Sequence, residues 1–261
     1  MLLQVKNLSV KFNDFFAIKN INFELSKGET LGIIGESGAG KTITARAILR
    51  ILDPNAKVEG EILWNGINLL KLSEKEMTKI RGSQIAMIFQ NPQLALNPAF
   101  TIKEQMISLV KLHKKVNRKQ ATELTEDLLK LVQAENLISR LNSYPSQISM
   151  GEAQRIMIAM ALACEPKLLI CDEPTSSLDV TIQAEILQLL SKLQKQLQFS
   201  MIFISHDLAV ISKVANRLIV MHKGKIIEKG SLDEIFLNPQ NEYTRKLIKS
   251  AIFINSKTNA W

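Results

Sequence analysis

The chain has 261 residues, 46% of them hydrophobic, enough for one large domain or for one core carrying an inserted subdomain. Its 33 Lys and Arg against 25 Asp and Glu leave a net charge of +8. That excess suits nucleotide phosphates, an anionic membrane face or nucleic acid, and is equally compatible with a plain basic surface. No apolar run reaches the ~18 residues needed to span a bilayer. The opening stretch MLLQVKNLSVKF has no basic start, long apolar middle and small-residue cleavage site. A cytoplasmic chain is expected, with any membrane association made through partners. Cys164 and Cys171, the only two cysteines, lie in apolar stretches and read as buried thiols, with no cysteine cluster to hold an iron–sulfur centre.

In chain order, LLQVKNLSV and AIKNINFEL read as strands, closed by a turn at Lys27-Gly28-Glu29. TLGIIG is a short apolar strand feeding a glycine loop, and TITARAILRIL then takes a helical pattern. Val58 to Asn68 reads as a strand pair turning at Asn65-Gly66, and Gln84 to Gln90 as a buried strand. From Asn91 to Ala163 the pattern is mainly helical, with the charged stretch Lys111 to Lys119 and the amphipathic segment Glu123 to Val132. LLICDE and MIFISHD are later buried strands separated by a helix from Val180 to Leu197. LIVMHKGKIIEKG reads as a hairpin turning at Lys223-Gly224, before a short helical tail. Alternating strands and helices imply a largely parallel sheet. The expected layout is an α/β core over 1–90 and 164–235, a helical subdomain over 91–163 and a tail over 236–261.

GESGAGKT, Gly35 to Thr42, matches G-x-x-x-x-G-K-[ST] in full, between a strand and a helix. Gly35, Gly38 and Gly40 let the backbone of Glu36, Ser37 and Ala39 turn its N–H groups toward phosphates, helped by the positive end of the following helix. Lys41 would neutralise the β- and γ-phosphates of a nucleotide, and the Thr42 hydroxyl would ligate Mg²⁺. In LLICDE the apolar run presents Asp172 at the carboxyl end of its strand, where ligands gather in open α/β sheets. Asp172 would hold the Mg²⁺ shell and Glu173 would act as general base. Taken alone, Asp-Glu reads about equally as a loop-facing acidic pair; the phosphate loop favours the site reading. Shortly before it stands ISMGEAQR, Ile148 to Arg155.

Together these pieces resemble the ATP-binding cassette family over nearly the whole chain. The resemblance implies a P-loop NTPase fold with a RecA-like parallel-sheet core, an N-terminal antiparallel β subdomain and an inserted α-helical subdomain. It places Phe12 against adenine, where a core phenylalanine is the competing reading. It places Gln90 beside Mg²⁺ and the attacking water, in a loop that also meets the membrane partner. It assigns Ser177, Leu178 and Asp179 of SSLD to communication across a dimer, and His206 to the γ-phosphate. Ser149, Met150, Gly151 and Glu152, read as leading into a helix that begins near Glu152, would face the γ-phosphate of ATP held by a second cassette. Met150 stands where the family has glycine: either it turns aside at little cost, or it hinders close approach of the backbone to phosphate. Any defect would fall on the partner's ATP, which argues for a heterodimer.

GETLGIIGESGAGKT, YPSQ, the run RIMIAMALACEPKLLICDEPTSSLDVTIQAEIL and the NP-x-x-x-YT-x-x-L ending at Asn238 to Leu247 resemble the peptide and nickel importer branch. The absence of that branch's cysteine-bearing extension leans slightly toward the shorter nickel-type subunits, with truncation or divergence as equal alternatives. The implied partners are a second, related ATPase subunit, two transmembrane permease subunits and an extracytoplasmic solute-binding protein, with no nucleic acid. The implied location is the cytoplasmic face of the membrane. A soluble cassette ATPase acting on ribosomes or DNA, and a low-turnover regulatory cassette, are the alternatives.

Overall fold

The computed structural model describes residues 1–258, with side chains described up to Ser250; the last three residues of the expected tail lie outside the described residues. The first half runs β1 (Leu3–Phe12), β2 (Phe15–Leu25), β3 (Thr30–Ile34), α1 (Lys41–Leu49), β4 (Ala56–Trp64), β5 (Ile67–Asn68) and α2 (Glu74–Thr78). Then come β6 (Ile85–Ile88), α3 (Pro92–Ala95), α4 (Ile102–Lys114), α5 (Arg118–Leu131) and α6 (Met150–Leu162). The remainder is β7 (Leu168–Asp172), α7 (Val180–Leu197), β8 (Ser200–Ser205), α8 (Leu208–Ile211), β9 (Arg217–His222), β10 (Lys225–Ser231), α9 (Leu232–Leu237) and α10 (Glu242–Thr258). Two compact units result: Met1–Met77 together with the chain from Ser200 onward, and Thr78–Phe199.

The first unit holds an antiparallel sheet in the order β2-β1-β4-β5, and strands β10, β9, β3 and β8 side by side. β3 is parallel to both β8 and β9, while β10 closes antiparallel onto β9. Every residue of β3 and β8 is buried, which is why both read as continuous apolar runs rather than alternating ones. Both hairpin turns expected here form, with positive φ at Asn65 and Gly66 and at Lys223 and Gly224, the geometry that matches strand twist. The second strand of the Val58 to Asn68 pair is short, just Ile67–Asn68.

The second unit pairs β6 with β7 in parallel and adds helices α3 to α7. Ile107 and Val110 of α4, Ala121 of α5 and Ala163 at the end of α6 form a buried cluster, with Leu128 and Cys164 packed against it. The Lys111 to Lys119 stretch is not one helix. It breaks after Lys114, where Lys115 turns to φ 52° and Asn117 caps α5 in a capping box with Gln120. Cys171 is fully buried, but Cys164 is only half-buried, a correction to the expected pair of buried thiols. It lies one residue beyond the C-cap of α6, next to Glu165, which receives the Lys114 ammonium at 2.6 Å.

Candidate functional site

In the first unit the phosphate loop leaves the carboxyl end of β3. Ile34 pairs with Ser205 in parallel register, so Gly35 and His206 emerge from neighbouring strand ends. Gly40 caps α1 at φ 101°, and a Cβ there would stand 2.5 Å from Ile18 Cγ2 and 2.9 Å from the Ala17 carbonyl. Glycine is therefore required twice over, by conformation and by space. Gly224 braces the loop from the β9–β10 turn: its N–H donates to the Ala39 carbonyl at 3.1 Å and its carbonyl accepts from Lys19 N–H at 2.8 Å. Lys41 is 5% exposed, and its ammonium donates to the carbonyls of Gly35 at 2.7 Å and Glu36 at 3.0 Å. Glu36, Ser37 and Gly38 face solvent, and nothing lies within 4 Å of where a Gly38 Cβ would stand. Open space over a bent backbone, a buried lysine and a helix N-terminus together fit a polyphosphate. Phe12 ends β1, half-buried, opposite Phe15.

The second unit gathers Gln90, Asp172 and Glu173 by the same device. Ile88 pairs with Cys171 in parallel, so Gln90 and the acidic pair lie at adjacent strand ends, Asp172 as the last residue of β7. Gln90 Nε2 donates to Glu173 Oε2 at 3.2 Å. Asp172 is buried at 2% exposure, and Glu173 leaves the strand at φ 48°, a left-handed conformation uncommon for a residue with a side chain. Its carbonyl accepts from Ser176 N–H and Oγ, which folds the loop through Ser177 and Leu178. Asp179 then caps α7 by accepting from Ile182 N–H at 3.0 Å. Within this unit the Asp172 carboxylate and the Gln90 amide oxygen are the donor chemistry that Mg²⁺ prefers.

The segment read as preceding a helix is itself the helix start. α6 begins at Met150, with Ser149 as N-cap, so Met150 and Gly151 are its first two residues. The Ser149-x-x-Glu152 spacing is a capping box, a signal already present in the sequence. Glu152 Oε2 accepts from Ser149 N–H at 2.9 Å; Oε1 accepts from Arg140 Nη1 at 2.9 Å and Asn136 Nδ2 at 3.1 Å. Burial pushes its carboxyl upward, but the Ser149 hydrogen bonds, the Arg140 charge and Asn136 outweigh that and hold it below the usual range. A Cβ on Gly151 would come within 3.0 Å of Ile182 Cγ2, so the second residue of the helix packs directly onto α7. Met150 is half-buried.

Residues 18–176 match the family model described as ABC transporter. The oligopeptide transport ATP-binding protein OppD of Bacillus subtilis (strain 168) is 47% identical over 95% of this chain and 71% of its own length. The dipeptide transport ATP-binding protein DppD of Haemophilus influenzae is 46% identical, over 95% and 77%. A dimeric ATP-binding cassette in a post-hydrolysis state bound to ADP and Pi superposes with a TM-score of 0.75 at 30% identity, covering 88% of this chain and 98% of that one. A component of the cbiONQ transporter complex from Clostridium perfringens gives a TM-score of 0.78 at 29% identity, over 99% and 98%. With a phosphate-loop motif, an acidic strand end and a capped helix at Ser149 in one sequence, the chain belongs to the ABC transporter family, as an ATP-binding and ATP-hydrolysing subunit.

Proposed function

We propose that this subunit drives import of peptides, hydrolysing Mg-ATP at the interface of a cassette dimer. The observation that carries the peptide reading is the 43–47% identity, over nearly the full chain, to several oligopeptide and dipeptide transport ATP-binding proteins. Two permease subunits, an extracytoplasmic solute-binding protein and a location at the inner face of the membrane belong to the same reading. Among the described residues no helix is long and apolar enough to cross a membrane; in this reading the permease subunits supply the path for solute.

In this mechanism Gly35 to Thr42 bind the phosphates through backbone N–H groups, with Lys41 on the β- and γ-phosphates and Phe12 on adenine. Thr42, Asp172 and Gln90 would hold Mg²⁺, which when bound offsets charge on the β- and γ-phosphates. Glu173 accepts a proton from water as that oxygen bonds the γ-phosphorus and the bond to the bridging oxygen breaks, releasing ADP and phosphate. The Gln90 hydrogen bond holds the Glu173 carboxylate in place for this, and His206 contacts the γ-phosphate. Ser149 and Gly151 serve the ATP of the second cassette, with Ser177, Leu178 and Asp179 carrying the state of one site to the other.

The second cassette is a related paralogue in this reading. Met150 adds a side chain at the first residue of the anion-facing helix end, where N–H donors are unpaired within the helix. An unequal pair confines that cost to one site; a homodimer would carry it twice. Uptake of a labelled dipeptide into cells lacking the gene, restored by the native chain and not by Lys41→Ala, tests the proposal. Restored uptake of Ni²⁺ but not of peptide would replace peptide by nickel as the cargo.

A further inference from the structure

One peptide unit of the phosphate loop, joining Gly35 to Glu36, is held at both ends. Its carbonyl accepts from Lys41 Nζ at 2.7 Å, and its N–H donates to the Tyr243 hydroxyl at 3.3 Å. Tyr243 lies 207 residues further along, in the first turn of α10, within the ending that marked the importer branch. Nothing in its sequence neighbourhood points to the loop.

Tyr243 is itself anchored. Its ring packs on the His222 ring with centroids 4.1 Å apart, and its N–H donates to Asn241 Oδ1 at 2.9 Å. The Glu228 carboxylate accepts from Gln240 N–H at 2.7 Å and Asn241 N–H at 3.1 Å, tying the turn before α10 to β10. Arg245 closes the same turn onto the Gln240 carbonyl at 2.9 Å. His222 immediately precedes the Lys223-Gly224 turn, whose glycine N–H reaches the Ala39 carbonyl. The loop is thus braced near its start by Tyr243 and further along by Gly224. Burial pushes the Tyr243 phenol above the usual tyrosine range, and the Glu36 carboxylate adds to this against the opposing Glu36 N–H. The hydroxyl therefore stays protonated at physiological pH, while its oxygen accepts from the Glu36 N–H.

We propose that Tyr243 is a positioning residue for the phosphate loop, its hydroxyl fixing the Gly35–Glu36 peptide so that the Gly35 carbonyl faces Lys41. A loop that binds phosphate through backbone N–H groups gains from having those dipoles fixed before the ligand arrives. Without the hydroxyl, the Glu36 N–H turns to water, the peptide gains freedom to rotate, and the carbonyl that seats Lys41 rotates with it. Seating of the 238–247 segment and affinity for ATP are therefore linked through the Tyr243 hydroxyl.

The inference rests on reading residues 35–42 as the phosphate loop, which Lys41→Ala tests separately: unchanged ATP affinity there would remove that reading. The test of Tyr243 uses the purified full chain and Tyr243→Phe, which keeps the ring on His222 and removes only the oxygen. Titration with ATP and Mg²⁺ should show the dissociation constant rising roughly two- to tenfold, the scale of one net hydrogen bond. Amide exchange across 33–41 should quicken. In the assembled transporter, KM for ATP should rise while kcat changes by less than about twofold, a split expected when uniform binding is lost. Glu228→Ala, which frees the turn without touching ring or loop, should weaken ATP binding in the same direction. Native affinity in Tyr243→Phe, or exchange across 33–41 that stays as slow as in the native chain, would overturn the proposal.

Discussion

Replacing Glu152 by Ala removes an acceptor that holds three donors at the start of α6: Ser149 N–H, Arg140 and Asn136. The capping half of this arrangement is worth about 0.5–1 kcal/mol. The Arg140 pair adds less than its 2.9 Å length suggests, because the arginine side chain is 43% exposed and solvent screens it. With the Asn136 hydrogen bond included, the loss is about 2 kcal/mol, which lowers Tm by about 4–8 °C for a chain of this size. The pH dependence has a defined sign. The folded carboxyl titrates below its unfolded value of about 4.3, so its stabilisation is fully present above that pH and is lost as pH falls through the lower folded value. Thermal unfolding followed by circular dichroism should show a constant gap between native chain and Glu152→Ala from pH 7 to pH 5, narrowing below. Glu152→Gln, which keeps an oxygen for Ser149 but loses the charge, should fall between them. A variant that melts with the native chain at pH 7, or a gap that does not narrow in acid, would refute the reasoning.

Gly40→Ala should abolish measurable ATP binding and destabilise the first unit by more than about 2 kcal/mol, since φ 101° and a 2.5 Å approach to Ile18 leave a methyl no place. Isothermal titration and urea unfolding check it, and native-like binding would show that the loop relaxes freely. Met150→Gly should raise turnover of the ATP held by the second cassette, read in a complex whose other site is disabled. If turnover there does not rise, Met150 is tolerated and the unequal-pair reading loses its support.

Much of the fold was legible because its central strands are buried on both faces. TLGII, LLICD and MIFIS are short runs with no polar interruption, and such runs between glycine loops and amphipathic helices leave few architectures open. The phosphate loop was legible for a different reason, since glycines at fixed spacing reflect local backbone geometry. Less visible were features that depend on distant contacts. Glu173 adopts a left-handed conformation that neither of its neighbours announces. Cys164 lies in an apolar stretch, yet it comes just after α6 ends, where the chain reaches the surface and the adjacent Glu165 meets Lys114. The start of α6 lies about two residues before the expected Glu152, because the Ser149–Glu152 box sets the boundary. Tyr243 carried a family resemblance but no chemistry until the fold brought it to Glu36.

The central claim, that this chain hydrolyses ATP with Glu173 as the base, is tested most directly by site-resolved turnover of Glu173→Gln in the assembled complex, with the other site disabled. The account predicts ATP binding at native affinity, turnover reduced by at least about a hundredfold, the scale of a lost general base, and a closed dimer that persists in ATP. Native turnover at that site in Glu173→Gln would contradict it.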